Sequence, residues 1–181
     1  MQRLITKKVF LYQAKPSKMP KESKELLKFL TPFSDEVKEV ALWLREFVWD
    51  LYPESNELIY DNYNALAFGF SLTDTAGDAF CSIAVFSKWV NFGFNRGSEI
   101  ADADKILVGN GSLYRYIKVA DKKSFPVKPI KKLLQLAHVN AQARLKVGKK
   151  TIHGETIVKM QLQKKRRPSP DVVPLKVVKR K

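Results

Sequence analysis

The sequence is poor in sulfur and imidazole: it has one cysteine, Cys81, and two histidines, His138 and His153. A lone thiol excludes an internal disulfide, and three such residues in all do not make a zinc site of the usual Cys/His kind. Long apolar runs are missing too. No stretch approaches the roughly 20 uncharged apolar residues of a membrane helix, and Met1 to Pro16 has no apolar core ahead of a small-residue cleavage site. The expected location is therefore cytoplasmic, with no membrane partner. The sequence also lacks a nucleophile elbow, a Gly-rich phosphate loop and a histidine–carboxylate spacing that would orient a base, and Gly109-Asn110-Gly111 alone is a weak anion nest. The expectation is that the chain is not an enzyme. No internal repeat is present.

What is there suffices for one core: 181 residues, 45% of them apolar, with 11 Phe and 3 Trp. The net charge of +15 is unevenly placed. Residues 1–32 carry 8 basic and 2 acidic side chains, residues 33–147 carry 14 of each, and residues 148–181 carry 11 and 2. A balanced central domain flanked by two basic arms is the expected organisation, the C-terminal arm being disordered because it mixes Pro and Lys/Arg without an apolar period.

Within 33–147 the spacing of Val37, Val40, Ala41, Leu44, Phe47, Val48 and Leu51 predicts a helix with Ser34 as N-cap, ended by Pro53. A short helical piece is expected around Leu26, Leu27 and Leu30. The period then falls to two, predicting strands at Glu57–Tyr60, Ala65–Leu72, Ala79–Ser87, Val90–Phe94 and Leu113–Val119, with one helical turn near Asp102–Leu107. Short turns between these segments favour an antiparallel meander. A last helix follows Pro126 and Pro129 on Ile130, Leu133, Leu134, Ala137, Ala141 and Leu145, closing near Gly148. The expected fold class is α+β: two layers, with a five-stranded, mainly antiparallel sheet packed against an N-terminal and a C-terminal helix.

The run Ile59-Tyr60-Asp61-Asn62-Tyr63-Asn64-Ala65-Leu66, with Cys81-Ser82-Ile83-Ala84, Val90-Asn91-Phe92-Gly93-Phe94, Arg96-Gly97 and Gly109-Asn110-Gly111 leading to Arg115-Tyr116-Ile117, resembles the YdhG-like family. The resemblance spans roughly residues 34–146 and neither arm. It implies a two-layer α/β domain of unknown biochemical function; some members are described as frataxin-like intracellular iron chaperones.

Three groups of residues are candidate sites. Tyr60, Asp61, Asn62 and Asn64, with Arg96 and Arg115, are expected at one end of the sheet and would line a small-ligand or protein-binding pocket. Arg115 alternates with Leu113, Ile117 and Val119, so it points to the apolar side and needs a partner, with Asp61 proposed. The ordinary alternative is that Asn and Asp are hairpin residues and that Arg115 extends its head to water. Asp35, Glu39, Glu46, Asp50 and Glu54 share about a third of the first helix's circumference. Such a row of hard oxygen ligands would hold iron weakly, as in the family's chaperone reading, or would simply be a solvated face. Trp43 falls on that acidic side, where a bare indole needs a cover. Lys164, Lys165, Arg166 and Arg167 would neutralise nucleic-acid phosphates in a salt-sensitive way, or stay free as a solubilising tail. The basic run is also a candidate import signal, and Ser169 before Pro170 a phosphosite. Cys81, mid-strand beside Ile83 and Val85, is expected to be a buried structural thiol, and His138 a packing or surface residue. No cofactor is expected, with weakly bound iron as the alternative.

Overall fold

The apolar stripe after Ser34 folds as α2 (Asp35–Leu51), which buries Val37, Val40, Ala41, Leu44 and Val48 along one side. Asp35 and Glu36 occupy its first turn, where carboxylates stabilise the unpaired amides. Ahead of it α1 (Lys24–Leu30) turns Leu26, Phe29 and Leu30 into the same core. The computed structural model describes residues 24–146, 148 and 153–167; residues 1–23, 147, 149–152 and 168–181, with Ser169 and most of the arm charge, lie outside the described residues.

Five strands follow each other antiparallel: β1 (Asn56–Asp61), β2 (Leu66–Ser71), β3 (Ala79–Val85), β4 (Val90–Phe94) and β5 (Arg115–Val119). After α3 (Val127–Arg144) the chain returns as β6 (Thr156–Gln161), which lies parallel to β1, so the order is β5-β4-β3-β2-β1-β6. Three expectations are thereby corrected. The sheet is mixed and has six strands instead of five. Residues 24–30 belong to the core instead of a basic arm, and residues 156–161 belong to the sheet instead of a disordered tail. The strand was missed because β6 is mostly exposed and has no clean apolar alternation: Thr156, Ile157 and Val158 favour extended backbone, but Lys159 and Gln161 surround them. Asp102–Leu107 is not helical either; the 3₁₀ turn of this connection stands earlier, at Gly97–Glu99, and another lies at Ala76–Asp78.

Side chains alternate across the sheet. The row Ile59, Phe68, Ile83, Phe92 and Ile117 faces α2 and α3 and forms the centre of the core. Fully burying each of these side chains stabilises the fold by about 1.5–3 kcal/mol. A bulge at Phe80, between the pairs Phe70–Cys81 and Ser71–Ala79, lets Phe80 turn toward the helices beside Cys81. Trp43 has its cover: its ring meets Phe125 edge-on at 5.1 Å and Phe47 at 6.0 Å, so the segment leading into α3 closes over the acidic side of α2. No helix among the described residues is long and apolar enough to cross a membrane.

Candidate functional site

Where α2 ends, Tyr52 and Pro53 lead the chain toward β1, and α3 runs past on the other side. The gap between them is a cleft of about 480 Å³. Leu51, Leu72 and Leu145 supply its apolar wall, while His138, Gln142 and His153 supply polar groups. His138 comes from α3 and is stacked on Tyr52 with ring centroids 4.5 Å apart. His153 is brought in from the other side, as the amide of Gly154 donates to the Glu54 carbonyl at 3.2 Å. The two histidines of the chain, 15 positions apart, thus open on one cleft. Burial holds the His138 imidazole below its ordinary value and, with the Cys81 thiol adding to it, pushes the Tyr52 phenol up to about 12. Both rings are neutral at pH 7, so they offer hydrogen bonds, and the Glu54 carboxyl lines the same cleft.

The polar group expected around Asp61 and Arg115 is not assembled. Arg115 lies on β5, four strands from β1, which is about 19 Å at the usual strand spacing. It is also displaced along the sheet, since Asp61 shares its cross-strand row with Val119. The Arg115 guanidinium donates to the carbonyls of Gly111 at 2.5 Å and Tyr114 at 2.8 Å. Arg96 pairs with Glu99 and holds that carboxyl below its ordinary value. The alternation argument put Arg115 on the correct face, and the antiparallel meander expected for β2 to β4 is observed, but the place of β5 after the long 95–112 connection was not readable from the sequence.

Asp61 has a different partner, the segment after β6. The Asp61 carboxylate is completely buried; Lys165 Nζ reaches it at 2.6 Å, and the Arg167 guanidinium contacts its other oxygen. Arg167 Nε donates to the Asn62 carbonyl at 3.1 Å and the Arg166 amide to the Tyr63 carbonyl at 2.9 Å, while Arg167 also lies over the Phe33 ring. Burial lowers the Arg167 guanidinium to about 10, which leaves it charged at neutral pH. Of the four basic residues expected to meet nucleic acid, Lys165 and Arg167 are therefore committed to the interior, and only Lys164 and Arg166 stand exposed. Asn64 is exposed on the β1–β2 turn, which is closed by the Asn62 amide donating to Ala65 at 3.1 Å.

A second inward acid on β1 was not singled out from the sequence. Glu57 is buried and receives Arg45 from α2 in a two-pronged pair, Nε at 2.7 Å and Nη2 at 3.0 Å, plus the Thr156 hydroxyl at 2.8 Å. The signal available was Arg45 itself, a cation on the apolar stripe of α2 one turn from Ala41 and Val48.

The acids of α2 have separate surroundings. Asp35 pairs with Lys38 at 2.7 Å and Glu39 with Lys122 at 2.8 Å, Glu46 and Asp50 are exposed, and Glu54 lies beyond the helix at the cleft. Among the described residues no three His, Cys, Asp or Glu side chains converge to hold a metal ion. Cys81 is fully buried in β3, and burial pushes its thiol well up.

No family model, no curated protein and no solved structure matches this chain.

Proposed function

We propose that the chain is a binding module whose ligand is a small organic molecule with an apolar body and a hydrogen-bonding head, held in the cleft between the end of α2 and α3. The observation that carries this reading is the arrival of His138 and His153 from separate parts of the chain at one 480 Å³ cleft. That volume falls inside the usual range of ligand sites, about 300–1,000 Å³, and an apolar wall with a few placed polar groups is their usual lining. The apolar body would lie along Leu51, Leu72 and Leu145, and the head would meet His138, Gln142 and His153. Neutral His138 can donate or accept and the Glu54 carboxyl can accept, which together suit a carboxamide best.

The test is a titration of the full chain with aryl carboxylates and aryl carboxamides, followed by NMR of the two imidazole side chains. Saturable, simultaneous shifts of His138 and His153, weakened about tenfold in Gln142→Ala, support the reading; a hydrogen bond worth about 1–1.5 kcal/mol corresponds to such a change. Unshifted imidazoles across both ligand classes would remove it.

A further inference from the structure

The sheet face turned away from the helices has an unusual composition. Reading across β1 to β4, one row is Leu58, Gly69, Ser82 and Gly93, and the next is Tyr60, Ala67, Ala84 and Asn91. Six of these eight residues are Gly, Ala, Ser or Asn, so the middle of the face is low. It forms a trough of about 280 Å³. Tyr60 rises on β1 at one side. At the other, the Tyr114 ring lies directly on Gly93, where an added Cβ would fall 2.0 Å from the phenol oxygen. Tyr114 comes from the β5 side and lays its ring over β4, so β2 and β3 separate that ring from Tyr60 on β1 by about 14 Å, which leaves room for one flat ring system over the small floor.

The floor is open where it matters. A Cβ built on Gly69 meets nothing closer than 3.8 Å, so a side chain there would project into the trough without striking the backbone. The edges are amides and a hydroxyl: Asn62, Asn95 and Ser82, with Ser82 also hydrogen-bonded to Tyr114. Asn91, on the same face two residues along the strand, is 8% exposed, and among the described residues its Oδ1 has no hydrogen-bond partner.

We propose that this trough binds a planar nitrogen heterocycle, an unpaired nucleobase of a single-stranded nucleic acid. Aromatic walls stack on any base, and the amide groups match its polar edge. The source of the base follows from charge: the two ends of the chain carry its whole excess of +15 and attract a polyanion, whose phosphates would supply affinity there while the trough takes the base. This site is separate from the histidine cleft and stands or falls independently of it.

The test uses the full chain and a fluorescent single-stranded 10-mer at low salt, read by anisotropy, with Tyr60→Ala, Tyr60→Phe and Gly69→Val beside the parent protein. Base stacking on one aromatic is worth about 1–3 kcal/mol, so Tyr60→Ala is expected to weaken binding by about 5- to 150-fold. Tyr60→Phe, which keeps the ring, is expected to stay within about twofold, and Gly69→Val, which fills the floor, to match Tyr60→Ala with an unchanged melting temperature. An abasic 10-mer is expected to bind as weakly to the parent as the normal strand does to Tyr60→Ala. Equal affinity of the parent for abasic, duplex and normal strands, or no strand binding, would overturn the proposal, and in the first case would leave only diffuse attraction by the basic residues. A free mononucleotide that binds as tightly as the strand would overturn the strand as the source of the base.

Discussion

Asp61→Asn removes the buried anion that Lys165 and Arg167 both meet. The Asp61 and Lys165 side chains are 0% exposed and that of Arg167 1%, so two interior cations would lose the carboxylate between them. Breaking a buried pair on one side costs about 3–5 kcal/mol. The cost has a ceiling, because the segment carrying the cations follows an exposed edge strand and can leave for water. The expected loss is therefore near the low end, about 3 kcal/mol, which lowers the melting temperature by about 6–12 °C for a chain of this size. Urea unfolding gives the global value, and amide hydrogen exchange shows where it acts. The Leu162 amide donates to the Asp61 backbone carbonyl at 3.0 Å and that of Arg166 to the Tyr63 carbonyl at 2.9 Å, so both should exchange faster in the variant as the segment loosens, together with β6. Because the pair is buried, the difference from the parent should persist from about 0.05 to 1 M salt. A loss under about 0.5 kcal/mol with unchanged protection at Leu162 and Arg166 would refute the argument that Asp61 anchors this segment.

Two further outcomes follow from the same structure. Glu57→Gln is expected to cost about 3–5 kcal/mol by urea unfolding, since Arg45 is left buried and unpaired, whereas Arg45→Met with Glu57→Leu should recover most of the loss. For His138, burial lowers the folded-state pKa, so the unfolded chain binds the proton more readily; stability contributed by the neutral ring is present above the ordinary imidazole value and is lost as pH falls through the folded value. His138→Gln should flatten the drop in unfolding midpoint between pH 8 and pH 5, and an identical slope in both proteins would sink that assignment.

The elements with one strong period were legible from the residues. Ser34 and the stripe from Val37 to Leu51 located α2, and the alternation from Glu57 to Phe94 located four strands to within one or two residues, because each segment carries its own apolar signal. What failed was everything decided between distant segments. β6 is held by polar partners: Thr156 gives its hydroxyl to Glu57, and Lys165 and Arg167 give their charges to Asp61. Neither leaves an apolar trace, so a run of lysine and arginine looked like a solvated tail. Arg115 was placed on the correct face, yet its distance from Asp61 depends on strand order, which alternation does not encode. The histidine cleft was invisible for the same reason, His138 being read alone on its helix and His153 within the tail. The small residues of the open face were quoted for their family likeness without their alignment into rows being apparent.

The pairing of β6 with β1 also dictates a schedule. Thr156 lies 99 residues after the Glu57 it binds, and at synthesis rates of about 5–20 residues per second those partners emerge about 5–20 s apart. Through that interval the outer edge of β1 has no neighbour, and Asp61 has no cation to meet it from Lys165 or Arg167. The nascent protein can assemble its helices on β2 to β5 during elongation, but it closes the acidic strand only when the late basic segment leaves the ribosome.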